Sequence, residues 1–81
     1  MATVADKELR KQQRQLEYLR ARVNAAKIAY LNRTPFEDLA EVSFEDLKLI
    51  AQEFIRASNN YQKLKYGSVR VKLSVGEVLR H

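Results

Sequence analysis

The sequence predicts an all-α protein: an antiparallel hairpin of two long helices, a short connecting helix and a short strand-like C-terminal tail. Three observations point there. Leu9, Gln12, Leu16, Leu19, Val23, Ala26 and Tyr30 recur at alternating steps of three and four, one stripe of a helix. Leu47, Ile50, Phe54, Ala57, Tyr61 and Leu64 repeat the pattern further on. Gly and Pro are scarce, with two and one in 81 residues, and charged residues are abundant, which favours helices over turn-rich β structure.

The first helix is expected over roughly 5–33. No Gly or Pro interrupts it, and its Ala, Leu, Arg, Gln, Lys and Glu lose little rotamer freedom in a helix. Thr3 or Asp6 suits its N-cap, and Asp6 and Glu8 suit the positive end of its dipole. Its first half is amphipathic. Its second half, with Ala21, Ala25, Ala26, Ile28, Ala29, Tyr30 and Leu31, is apolar on most sides and is expected to be surrounded by neighbours. At 1.5 Å per residue the helix spans about 42 Å. A compact chain of this size has a radius of gyration of about 12 Å, so part of the helix must project or pack on a second copy.

Asn32-Arg33-Thr34-Pro35 is the stop, because Pro35 disfavours helix at Thr34. Thr34, Pro35 and Glu37 then read as cap, N1 and N3 of a short helix over 35–41. Ser43 is the next cap, opening a long helix over 44–66, with Glu45 and Asp46 in its first turn. Phe36-Glu37-Asp38-Leu39 recurs as Phe44-Glu45-Asp46-Leu47, which fits two helix starts of the same design. Ser58-Asn59-Asn60 marks a kink or a watered face. Gly67 is the C-cap, preceded by Lys63 and Lys65.

After Gly67 the period changes. Val69, Val71 and Leu73 alternate with Arg70 and Lys72, the pattern of a half-buried strand over 68–73. A lone strand leaves its backbone groups unpaired, so it calls for a partner strand from a second copy or another protein, or is merely extended. Ser74 and Glu77 form another capping box, opening a terminal helical turn over 75–80. The whole, 1–81, reads as one domain.

Composition narrows the function. There is no cysteine, hence no disulfide framework and no thiolate metal site, which suits a reducing cytoplasm. No apolar run reaches membrane-spanning length, and no signal-peptide core stands at the start. The one histidine, His81, is terminal, and neither a cysteine nucleophile, a phosphate-binding glycine loop nor a metal-ligand spacing is present. The paired carboxylates Glu37-Asp38 and Glu45-Asp46 fit helix starts better than an acid–base pair. The expectation is a non-enzyme without catalytic residues, metal, cofactor, small-molecule substrate or membrane contact.

Charge supplies the functional signal. The net charge is +5. Residues 1–33 hold eight Lys/Arg against three Asp/Glu, residues 34–53 one against six, and residues 54–81 six against one. Lys7, Lys11, Arg14, Tyr18 and Arg22 share one face of the first helix, away from its apolar stripe. Cations a turn apart can track phosphates, and a tyrosine among them can stack on a base. The same line also fits the solvated outer face of a coiled-coil helix. The tail adds Lys63, Lys65, Arg70 and Lys72, with Tyr61 and Tyr66 between and Arg80 beyond. Arg70 and Lys72 would project together from a strand, either into a groove of nucleic acid or simply into water.

These residues point to a small basic accessory protein that binds nucleic acid, regulatory or architectural, as a homodimer joined through Leu9, Leu16, Leu19, Val23, Ala26 and Tyr30. The alternative is a protein–protein adaptor or assembly subunit that meets an acidic partner through its coiled-coil helices and its strand. A membrane-surface role fits least, since the apolar stripe is alanine-rich and Trp is absent.

Overall fold

The computed structural model describes residues 4–80. The expected cap at Thr3 and the terminal His81 lie outside these residues. Among the described residues there are three helices: α1 (Val4–Asn32), α2 (Phe44–Tyr66) and α3 (Val75–Arg80). No strand occurs among the described residues. α1 and α2 pack against each other as a hairpin, and α3 packs back on α2. The molecule is elongated, 46 × 24 × 16 Å, with a radius of gyration of 14.4 Å. The 29 residues of α1 exceed the 23 of α2. At 1.5 Å per residue, roughly 9 Å of α1 therefore runs past its partner.

The core sits at the closed end of the hairpin. Val23, Ala26 and Ala29 of α1 meet Leu47, Ile50 and Ala51 of α2, with Val42 from the connector and Val78 from α3. Alanines at the crossing let the two helix backbones approach closely. Leu47, Ile50 and Phe54 face α1 as the heptads predict, and Leu19, Val23 and Ala26 are buried within the single chain. The centre of that stripe is thus covered by α2 of the same chain. Leu9 and Leu16, toward the open end, are only half-buried. Tyr30 leaves the stripe: Ala29 takes the buried position, and the Tyr30 ring lies outside, 6.4 Å from that of Phe44.

The second half of α1 is not surrounded as its composition suggests. Ile28 is 59% exposed and Leu31 75%. α2 and α3 cover only one side of α1, so its apolar outer face is left open.

The short helix expected over 35–41 does not form. α1 ends in a Schellman-type motif: Arg33 is left-handed (φ 55°), and Thr34 N–H donates to Ala29 O at 3.0 Å. The next residues make a tight turn, with Phe36 N–H donating to Leu39 O at 3.0 Å and Leu39 N–H to Phe36 O at 2.9 Å. Glu37, at φ 53°, also adopts a left-handed conformation, which no α-helix tolerates in its interior. The turn sends both Phe36 and Leu39 into the core, and it frees the Glu37 carboxylate from the capping role the sequence suggests.

The other boundaries fall where the sequence places them. Ser43 N–H donates to Asp46 Oδ2 at 2.9 Å, and Asp46 N–H donates to Ser43 Oγ at 3.1 Å, a reciprocal capping box. These bonds from Ser43 hold the Asp46 carboxyl below its ordinary value. α2 runs unbroken through Ser58-Asn59-Asn60. Gly67 (φ 81°) caps it, donating its N–H to Lys63 O at 2.9 Å, and only glycine takes that conformation without steric cost. Ser74 caps α3, its Oγ accepting from Glu77 N–H at 3.2 Å.

The strand expected over 68–73 is instead an extended segment without a partner strand. Gln62, buried at 7% exposure, takes the partner's place. Its Oε1 accepts from Val71 N–H at 2.7 Å and from Arg70 N–H at 2.9 Å, and its Nε2 donates to Val71 O at 2.9 Å. One side-chain amide thus makes the bonds a neighbouring strand would make, and the tail is tied along α2. The alternation fails at Val71, whose side chain is exposed while Val69 and Leu73 are half-buried.

Candidate nucleic-acid interface

The basic line on α1 divides into two parts. Lys7, Lys11 and Arg14 are exposed, as is Tyr18 at 62%. Among the described residues no carboxylate pairs with any of these three cations. They lie on the half of α1 that reaches the open end, and α1 places them there because steps of four and three return to one face.

Arg22, the last of the line, is drawn inward. Its Nε and Nη2 fork the Glu37 carboxylate, with Nη2 to Oε1 at 2.8 Å, and its Nη1 donates to Glu53 Oε2 at 2.6 Å. Three elements meet there: α1, the connecting turn and α2. The hydrogen bonds to Glu37 raise the Arg22 pKa further, with Glu53 adding attraction, and the same bonds hold the Glu37 carboxyl below its ordinary value. Arg22 is therefore a brace between elements, and its charge is already answered.

The tail set is a separate cluster. Arg70 lies over the Tyr66 ring, 4.7 Å from guanidinium carbon to centroid. The Lys65 ammonium lies 5.3 Å from the Tyr66 centroid and 5.6 Å from that of Tyr61. Contact with Tyr61, then with Tyr66, holds this ammonium above the ordinary lysine value. Lys63 and Lys72 are exposed.

The two basic sets flank different sides of the hairpin. Glu53, which meets Arg22, and Gln62, which holds the tail, are nine residues apart on α2. At about 100° per residue they point to opposite sides of the helix. A polyanion lying straight on one set does not reach the other without wrapping.

Sequence reasoning missed Gln62 and the carboxylates that hold Arg22. A glutamine one turn after Ser58, which accepts from Gln62 Nε2 at 3.3 Å, was the available signal for the first. Nothing local signals the second, since Glu37 and Glu53 lie 15 and 31 residues from Arg22. Between α1 and α2, Gln12, Gln15, Glu53, Arg56 and Asn60 line a polar groove of about 380 Å³. Among the described residues no three His, Cys, Asp or Glu side chains converge as metal ligands, and no helix is long and apolar enough to cross a membrane. No family model, curated protein or solved structure matches the chain.

Proposed function

We propose that the protein is a small basic accessory protein that binds nucleic acid without catalysing a reaction, using the open-end half of α1. One observation carries this reading. On a single helix face Lys7, Lys11 and Arg14 have no carboxylate partner among the described residues, while Arg22 on the same face has two. The fold thus neutralises the cation it needs for bracing and leaves the other three uncompensated on a projecting rod. Tyr18 lies among them as an exposed aromatic surface for a base or sugar. The Lys63, Lys65, Arg70 and Lys72 set is a secondary contact on the other flank. The absence of cysteine fits a cytoplasmic setting.

This reading needs only one copy. Leu19, Val23 and Ala26, the centre of the stripe expected to join a homodimer, are occupied by α2. Self-association through Leu9, Leu16 and Tyr30, which stay partly exposed, is measured directly by gel filtration with light scattering at tens of micromolar.

The test is anisotropy of labelled single- and double-stranded oligonucleotides at two salt concentrations. Neutralising three phosphates releases counterions, so affinity falls by about fortyfold between roughly 50 and 200 mM salt. Absence of binding at the lower salt refutes the proposal.

A further inference from the structure

The polar groove between α1 and α2 runs beside the exposed cations of α1. Gln15 in its wall is four residues from Lys11 and three from Tyr18, spacings at which side chains are neighbours on a helix surface. Two features of the sequence open the groove. Gln12 is the polar residue within the apolar stripe of α1, and Ala57 is the small residue within that of α2. Both line the groove, with buried Leu19 as its floor. A leucine at either place would fill part of it. The polar groups in the walls are largely uncommitted. Among the described residues the side chains of Gln15, Arg56 and Asn60 make no hydrogen bond or ion pair. Gln12 Nε2 donates to Glu8 Oε1 at 3.3 Å, which leaves the Gln12 carbonyl oxygen to accept. The carboxylate in the wall, Glu53, is held by Arg22 at 2.6 Å. The groove thus presents amide donors and acceptors and a guanidinium, with its negative charge already answered.

Carboxamides and guanidinium groups are the side chains that pair with base edges, Asn and Gln with adenine and Arg with guanine. A duplex keeps its bases stacked inside, so only an unpaired base can enter a crease between two α-helices. The placement of the two basic sets favours the same substrate. They lie on opposite flanks of a molecule 46 Å long. Duplex DNA is stiff over about 150 base pairs, whereas a single strand can bend round so small a body. We infer that this groove takes the bases of a single-stranded nucleic acid whose phosphates lie along Lys7, Lys11 and Arg14. Unpaired bases, and not backbone charge alone, are then what the protein recognises, and single strands are its substrate in preference to duplex.

The inference rests on the nucleic-acid reading and specifies its substrate. The experiment measures anisotropy of labelled probes of equal length, about 12 nucleotides, at one low salt concentration. The probes are single-stranded DNA, single-stranded RNA, the DNA duplex and a single strand of abasic sites. At least one base-bearing single strand should bind about tenfold or more tightly than both the duplex and the abasic strand. Preference for DNA or for RNA identifies the sugar and supports the inference either way. Gln15→Leu/Asn60→Leu leaves the net charge unchanged, and both side chains are exposed, so the variant keeps the fold, which circular dichroism verifies. It should lose about tenfold in single-strand affinity, with duplex affinity and salt dependence unchanged. Abasic or duplex probes binding as tightly as the base-bearing strands overturn the inference, as does full single-strand affinity in the variant. Each of these results leaves phosphate binding by α1 standing. Binding to none of the probes overturns both.

Discussion

The side-chain amide of Gln62 pairs with both backbone groups of Val71, accepting its N–H at 2.7 Å and donating to its carbonyl at 2.9 Å. A tail that carries the pattern of a strand is thereby satisfied by one residue of α2. Gln62→Leu should remove these bonds and leave the Arg70 and Val71 amides to solvent. The expected cost is about 1–3 kcal/mol, the range for stripping partners from part-buried polar groups. Urea denaturation measures it, and hydrogen exchange should show the Val71 amide losing its protection. Unchanged protection would mean that the tail is held by Val78 and Leu73 alone.

The Arg22 brace makes a different prediction. Arg22→Ala should loosen the connecting turn and lower the melting temperature slightly, since Glu37 and Glu53 are both substantially exposed and such pairs are weakened by solvent. It should lower nucleic-acid affinity much less than Arg14→Ala does. The comparison uses two arginines on one helix face that differ in their carboxylate partners.

Acid should destabilise the fold through two identified carboxylates. Asp46 is held below its ordinary value by Ser43, and Glu37 by Arg22. A depressed folded-state pKa contributes stability above the unfolded-state value, and that contribution is lost as pH falls through the folded one. Thermal stability should therefore be level near neutral pH and decline below about pH 4–5. Asp46→Asn should flatten part of that decline.

Gly67→Ala tests the end of α2. A Cβ there meets nothing within 4 Å, so the whole penalty is the left-handed backbone at φ 81°. A loss of about 1 kcal/mol in chemical denaturation is expected. A neutral result would show that the cap and the tail beyond it shift without cost.

The periodic parts of this fold are legible in the sequence because their causes are local. Leu19, Val23, Leu47 and Ile50 repeat at helical spacing, and Ser43, Gly67 and Ser74 mark boundaries by chemistry within three or four residues. The connector is different. Thr34-Pro35-Phe36-Glu37 carries a valid helix-start signature, and it loses to a turn that buries Phe36 and Leu39 and places Glu37 against Arg22. That contest is decided by residues far away in the chain. The tail fails for the same reason: alternation announces an extended segment, but a side chain on α2 supplies the pairing. For the candidate site, the face shared by Lys7, Lys11, Arg14, Tyr18 and Arg22 follows from spacing alone. Which of these cations stays unpaired depends on the tertiary position of Glu37 and Glu53.

The most direct test of the central claim compares oligonucleotide affinity at low salt for the unaltered chain, the Lys7→Ala/Lys11→Ala/Arg14→Ala variant and the Arg70→Ala/Lys72→Ala variant. The account predicts a large loss and a shallower salt dependence for the α1 variant, with a smaller loss for the tail variant. Full affinity in the α1 variant would contradict it.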